Sequence, residues 1–515
     1  MILGEAKTAG APPGEGTTVD ELFRRAAARR PDAIAIADPP NRGSFTDGPA
    51  HRLTYAEADR IVTAIAVRLR KLGLQTDTVV AIQLPNNVDN VLTILGVLRA
   101  GLIAAPLPLL WRRADIVPAL GRLGAKIIIT TSRIGDVDHG QLAMGVAAEL
   151  FPIRYVCGFG RNLTDGIIPL DDLMTEPAPE PPQQIERAGN PAAHVALVTW
   201  DVTPEGPIAV ARSHAALIAG GVAALLEAGI EPDARLLGCY ALSSFAGIAL
   251  TMVPWLLAGG TLSLHHTFDP DAFAAQCREE QCDTVVVPGP LVPRLAEAGL
   301  LAHAELKNVL GVWRSPERLQ NSPSWQHPRA RLIDILVFGE IALVGSRRDV
   351  IGRPDPLSAG EIMAPRGSAS AVPIAEAART LAGTVALRGP MVPRYAFPPG
   401  AERLQAPHLK ADHRGFVDTG YACRVDSMTD TFVVTGPPPG MVTVGGYRFV
   451  LSELEELVRG ADRGALITAL PDALAGQRLA GTPGESGDVR ATLAGLGVNP
   501  LLLDAFGERR KAKAA

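Results

Sequence analysis

A chain of 515 residues is too long for one hydrophobic core, and 47% hydrophobic residues supply apolar material for at least two domains. A net charge of −5 argues against a broad surface for nucleic acid or anionic membrane, which needs clustered Lys and Arg. Five scattered cysteines, an odd number, fit a reducing compartment better than a disulfide framework, so the cytoplasm is the expected location.

Residues 1–17 are rich in Gly, Pro and Ala and lack the basic start and apolar stretch of a signal peptide, so a disordered lead-in is expected. Thr18-Val-Asp-Glu21 and Thr54-Tyr-Ala-Glu57 are capping boxes, each opening a segment with helical apolar spacing. Gly73 stops the second helix, Val79–Leu84 reads as a buried strand, and a helix follows over Val88–Arg99. Lys126–Thr130 is a further strand. This alternation is the pattern of a mostly parallel sheet covered on both faces.

The Pro-rich stretch Glu176–Pro191 reads as an exposed connection, after which Val195–Thr199 resumes the strands and a helix starts near Ser213. Phe245–Leu264 is uncharged, but Pro254, Gly259 and Gly260 interrupt it, so it reads as a buried helix entering a strand and not a membrane span. His265-His266 are neighbours in an extended segment and face opposite ways, which favours structural placement over metal binding. Cys277 and Cys282, five apart in a helix-like segment, are expected to diverge as buried free thiols. Three consecutive prolines in Thr435–Gly440 suggest a boundary. The expected organisation is a large domain over 18–436 and a small domain over 437–515, the latter with strand Met441–Val444, the turn Gly445-Gly-Tyr-Arg448 and a helix capped by Ser452.

Between these elements, Trp200 to His214 reads Trp-Asp-Val-Thr-Pro-Glu-Gly-Pro-Ile-Ala-Val-Ala-Arg-Ser-His. This stretch resembles the phosphate loop of the adenylate-forming enzymes (acyl-CoA synthetases, peptide-synthetase adenylation domains, luciferases), which runs Thr-Ser-Gly-Thr-Thr-Gly-x-Pro-Lys-Gly-Val-x-x-Ser-His. Thr203, Pro207, Val210, Ser213 and His214 match, whereas the family's lysine position is Ile208 and its glycines are Val202, Glu205 and Ala209. A triphosphate loop needs exposed backbone N–H groups and a cation. Here Asp201 and Glu205 bring negative charge instead, and no lysine lies between Lys126 and Lys307.

The resemblance runs in order from about Thr18 to about Gly476, through Arg30-Pro31-Asp32, Arg99-Ala-Gly101, Leu257-Ala-Gly-Gly-Thr261, Gly352-Arg-Pro354 and Arg388-Gly-Pro390. It implies the adenylate-forming fold: α/β, with a large N-terminal domain of mixed, mostly parallel sheets layered with helices and a small α+β C-terminal lid, here truncated. It also assigns positions. The nucleotide site maps to Thr203, Pro207, Ile208, Phe338, Gly339, Ile341, Ala342 and Tyr421, the acyl pocket to Ser244 and Gly247, and the CoA-contacting turn to Gly445, Gly446 and Tyr447.

At those positions the backbone-shaping Gly and Pro persist and the chemistry is replaced. Phe338-Gly-Glu-Ile-Ala342 stands where the family has Tyr-Gly-x-Thr-Glu, and neither Ile341 nor Ala342 offers oxygen to Mg²⁺. Tyr421 replaces the ribose-binding aspartate, Gly436-Pro437 and Gly440 replace the hinge, and the C-terminal catalytic lysine has no counterpart, with Lys511 and Lys513 reading as a solvated tail.

Two residues are candidates for relocated chemistry: Arg212 for the lost lysine's charge, against a surface or pocket-rim arginine, and Glu340 as a shifted metal ligand, although its strand end should point it elsewhere. Gly445 and Gly446 either form a CoA turn or simply shape a tight turn. The expectation is a binding or scaffold pseudoenzyme with no metal and no cofactor, taking an acyl or carboxylic-acid ligand or a partner protein. The alternative is an active AMP-forming acid–thiol ligase, which would use ATP, Mg²⁺ and CoA.

Overall fold

The computed structural model describes residues 16–507 apart from 178, 183–187, 405–406 and 427. Most of the expected lead-in, part of the Pro-rich connection and the basic tail therefore lie outside the described residues. Both capping boxes form: the hydroxyls of Thr18 and Thr54 accept from the N–H of Glu21 and Glu57 at 3.2 Å, starting helices Val19–Arg29 and Tyr55–Lys71.

Two sheets carry the large part of the chain. In the first, Val79–Ile82, Ile103–Pro106, Ile127–Thr131, Tyr155–Phe159, Ile168–Pro169 and Val195–Thr203 pair in parallel, and Gly206–Ser213 adds an antiparallel edge. In the second, Ile34–Ala37, Thr261–Leu264, Arg235–Gly238, Thr284–Pro288, Asn308–Trp313 and Arg331–Phe338 are parallel, with antiparallel edges at Arg52–Thr54 and Ala342–Ser346. One apolar core joins Ile82 and Leu197 of the first sheet to Leu236 and Leu310 of the second through Ile61, Leu92, Phe245 and Trp255 of the helices. Continuous β-branched and Leu runs in these strands follow from burial on both faces.

A third, six-stranded sheet over 357–436 is wholly antiparallel. The C-terminal segment forms a four-stranded antiparallel sheet with helices Leu451–Ala461, Val489–Leu496 and Pro500–Asp504, around a core of its own that includes Val442, Leu454, Val458 and Leu493. Among the described residues, no helix is long and apolar enough to cross a membrane.

Three local expectations are corrected. The strand at Val195 continues to Thr203 and turns directly into Gly206–Ser213, so the supposed loop is a β-hairpin. Helix Pro270–Glu279 ends before Cys282, whose N–H bonds the Cys277 carbonyl at 3.0 Å; the thiols meet instead of diverging, and Cys277 beside it pushes the Cys282 thiol well up. The small-domain helix starts at Leu451 with no side-chain cap, so Ser452 is not its N-cap.

Gly260, inside the Leu257–Thr261 motif, is a packing node. Its carbonyl accepts from Tyr55 Oη at 2.9 Å and Trp255 Nε1 at 3.2 Å, and an added Cβ would lie 1.9 Å from the Ala234 carbonyl oxygen. Backbone cannot move aside cheaply there. Gly260→Ala is expected to cost at least about 2 kcal/mol in denaturant unfolding, whereas Gly73→Ala, with open space around its Cβ, should cost less, limited to the strain of its positive φ.

Candidate functional site

The hairpin is held in register by Trp200 opposite Ala209, Asp201 opposite Ile208, Val202 opposite Pro207 and Thr203 opposite Gly206. Its ladder consumes the backbone groups that a phosphate loop would leave free. At the tip, Thr203 Oγ1 donates to the Gly206 carbonyl at 3.1 Å and accepts from Glu205 N at 3.2 Å. Ile208, the lost-lysine position, is 3% exposed and belongs to the main apolar core.

Asp201 is buried, and its carboxylate is fully engaged. Oδ2 accepts from Glu340 N at 2.7 Å, while Oδ1 accepts from Val202 N and from Arg448 Nη1, each at 2.8 Å. Gly339 makes the approach possible: its φ is 59°, and a Cβ there would sit 2.1 Å from Asp201 Oδ2. Arg448 also donates to Tyr421 Oη, which donates in turn to the Arg314 carbonyl at 3.1 Å. Tyr421 is buried edge-on against Phe338, with ring centroids 5.6 Å apart. Glu205 pairs with exposed Lys410, 2.9 Å from both carboxylate oxygens. Neither acid of the hairpin stands free, so the repulsion expected from them is largely cancelled.

Arg212 is neither a surface nor a rim residue. It is 1% exposed, donates to Thr199 Oγ1 at 3.2 Å and to the carbonyls of Glu340 and Ile341, and stacks 3.8 Å from the Phe245 ring centre. Burial lowers its pKa to about 10 against the pull of Glu340 and Asp201. Glu340 accepts from Phe245 N at 2.6 Å and faces Arg314 Nη2 at 3.3 Å; burial raises its pKa. Its carboxylate is thus spent on a helix start and an arginine. Among the described residues, no group of three His, Cys, Asp or Glu is placed to hold a metal. His265 is committed to Gln276 and Asp269, and His266 stands edge-on to Phe45, in agreement with structural placement.

A cavity of about 480 Å³ opens beside this network. Its walls come from the hairpin, from Tyr240–Ser244, from the carboxyl end of strand Asn308–Trp313 and from the small-domain turn at Gly445–Arg448. Of the residues expected from sequence, Ser244, Gly445, Gly446 and Tyr447 line it. Thr203, Pro207, Ile208, Phe338, Gly339, Ile341, Ala342, Tyr421 and Gly247 do not. Ser244 Oγ donates to the Ala241 carbonyl and caps Gly247 N, and Gly247 is required because a Cβ would lie 2.0 Å from the Ala241 oxygen. Gly445 and Gly446 form a two-residue hairpin turn at φ 57° and 94°, and a Cβ on Gly446 would sit 2.7 Å from Arg314 Cδ. Sequence reasoning missed Arg314, Arg318 and Arg448. An arginine directly after the apolar strand Asn308–Trp313 was the available signal, because ligands of open α/β sheets gather at carboxyl ends of strands.

Comparison with known proteins agrees with this architecture. The AMP-binding enzyme family profile matches residues 23–158. The chain is 26% identical to 2-hydroxy-7-methoxy-5-methyl-1-naphthoate–CoA ligase of Streptomyces carzinostaticus, over 93% of this chain and 87% of that protein. It is 28% identical to feruloyl-CoA synthase of an Amycolatopsis species, over 45% of this chain and 43% of that one. Against that second relative the matched region spans under half the protein's length. The amide bond synthetase McbA from Marinactinospora thermotolerans superposes with a TM-score of 0.67 at 17% identity, covering 94% of each chain. The fold is that of adenylate-forming enzymes, with a large N-terminal part and a smaller C-terminal one. In sequence the chain is similar to AMP-binding enzymes and CoA ligases, and it shares the adenylate-forming fold.

Asp201→Asn removes the charge opposite buried Arg448 and is expected to cost about 3–5 kcal/mol in urea unfolding, more than either ion contributes alone. Restoring the family residues by Ile208→Lys, Ala342→Glu and Tyr421→Asp together puts charges at positions 3%, 0% and 1% exposed. That triple variant should lose more than about 4 kcal/mol and release no pyrophosphate, as calorimetry and a coupled assay would read.

Proposed function

We propose that this acyl-CoA synthetase-like chain does not activate carboxylates with ATP and Mg²⁺, and acts as a binding or scaffold protein with an acyl or carboxylic-acid ligand or a partner protein. The observation that carries the reading is Asp201, whose carboxylate sits between Glu340 N–H and the Arg448 guanidinium. Asp201 takes up the Glu340 N–H and one Arg448 amino group, and the hairpin ladder pairs the backbone around them, which leaves fewer donors for a triphosphate. Ile341 and Ala342 add no oxygen for a hard dication. We take 18–436 as the large unit, 437–515 as the small one, Gly445-Gly446 as a structural turn and the cytoplasm as the location.

Mass action supplies the test, since any ligand that binds the native state raises its midpoint, by about 2.7 kcal/mol of stability at 100 times Kd. ATP·Mg²⁺ at millimolar concentration should leave the melting temperature unchanged, and no acid offered with it should yield pyrophosphate. A clear upward shift together with pyrophosphate release would establish the other reading, an AMP-forming acid–thiol ligase using relocated charges.

A further inference from the structure

A second cavity, of about 590 Å³, lies at the opposite end of strand Arg331–Phe338 from the first, and no nucleotide, acyl or CoA position named above lines it. Its walls are the 325–330 segment, the start of that strand, the Glu227 end of helix His214–Ala228 and the loop 347–350.

That loop is closed by its own hydrogen bonds. Asp349 Oδ1 accepts from the N–H groups of Ile351 and Arg353 at 2.9 and 2.8 Å, and the Asp349 N–H donates to the Arg353 carbonyl at 2.8 Å. The Trp325 N–H donates to the Gly352 carbonyl at 2.9 Å, and Gly352, at φ 79°, approaches so closely that a Cβ would lie 2.2 Å from the Trp325 carbonyl oxygen. This bonding leaves Val350 fully exposed on the cavity wall and Ile351 exposed next to it. Two branched apolar side chains presented to water by a fixed turn mark an interaction surface. Trp325 and His327 extend it as a stack, with ring centroids 5.5 Å apart and planes 15° apart. The indole N–H is spent on the Ala330 carbonyl at 3.1 Å. His327 Nδ1 accepts from the Ala330 N–H at 2.8 Å, which puts the ring proton on Nε2 as a further donor.

Charge narrows the occupant. Arg347 pairs with Glu227 at 2.8 Å, Arg348 pairs with Asp334 at 2.7 Å, and Asp355 offsets Arg366. Glu231, which feels Arg331, is held by Lys307 at 2.6 Å. With every acid counted as charged, exposed Arg329, Arg331 and Arg353 remain against Asp349 alone, on a chain whose net charge is −5. Arg331 spends only Nη2, on the Ala228 carbonyl and Asn308 Oδ1, so its Nε and Nη1 donors are left for a ligand. An apolar anchor point inside a surplus of guanidinium groups is complementary to an apolar side chain between carboxylates.

We propose that this face docks an acidic segment of a partner protein, with an apolar side chain seated in the cavity against Val350 and Trp325 and flanking carboxylates on Arg329, Arg331 and Arg353. A nucleic-acid strand fits less well, because it needs a run of cations along its backbone, and aliphatic Val350 and Ile351 offer no face for stacking a base. The proposal gives the partner-protein half of the reading above a surface and does not depend on the loss of ATP chemistry.

Selection from a random peptide library displayed against the full chain tests it. Enriched peptides should carry an aliphatic or aromatic residue flanked by Asp or Glu. A labelled synthetic copy, read by fluorescence anisotropy, should bind Val350→Asp and Arg353→Gln at least about tenfold more weakly than wild type and lose affinity as salt is raised. Both substitutions fall at exposed positions and should keep the wild-type melting curve, which separates lost docking from unfolding. Failure to enrich acidic peptides, undiminished binding to Val350→Asp, or displacement of the peptide by decathymidylate more readily than by unlabelled peptide overturns the proposal. Pyrophosphate release by wild type with ATP would sink only the non-activating function, whereas undiminished binding to Val350→Asp without pyrophosphate release sinks only this docking surface.

Discussion

The ion pair between Asp201 and Arg448 joins the central hairpin to the C-terminal sheet with both side chains under a tenth exposed. Removing two ions from water costs several kcal/mol each, and their attraction offsets this only when every remaining lone pair and proton is bonded. Here Asp201 has two backbone N–H partners besides the arginine, and Arg448 has the Tyr421 hydroxyl. The arrangement contributes specificity more than stability. It fixes which face of the small domain meets the hairpin, since any other docking would leave one buried charge unpaired.

Around this pair the charges alternate. Arg212 bonds the carbonyls of Glu340 and Ile341, Glu340 faces Arg314, and Arg314 supplies the carbonyl that accepts from Tyr421. Each group is buried or nearly so, which makes every contact electrostatically stronger than in water and every vacancy costlier. The sequence-level suggestion that Arg212 or Glu340 could serve relocated chemistry therefore meets a physical obstacle. Both already satisfy neighbours whose loss would leave polar backbone groups unpaired in the core.

What could be read from the residues was the scaffold. Capping boxes at Thr18 and Thr54, the stop at Gly73 and the buried runs at Val79 and Val195 carry their structural meaning locally, and each formed. The hairpin at 195–213 was not legible as one. Its outline suggested a loop, although Val202 and Ile208 are β-branched residues in place of a glycine and the lysine, and such residues extend strands. The cation partners of Asp201 and Glu205 were also hidden. Arg448 and Lys410 lie 247 and 205 residues away, and a pairing at that separation is set by topology alone. Cys277 and Cys282 failed for a simpler reason: a helix assumed continuous ends at Glu279.

The missing loop glycines and the non-activating function we propose share one physical cause. A phosphate loop is unstable by design, because its glycines and unbonded N–H groups forgo ladder contacts to stay available for a ligand. Replacing them with strand formers recovers that energy as a closed hairpin, and the space left at its base suits a carboxylate from the same chain. Mobility contracts with it. Pro438, in the proline run, packs on Gly420 so closely that a Cβ there would stand 3.2 Å from Pro438 Cβ, and the small domain's turn rests on Arg314. Since Gly445–Arg448 also wall the cavity, moving the small domain away would break the Asp201–Arg448 pair and open the cavity in the same step. The fold thus couples access to its interior to a buried ion pair between its two parts.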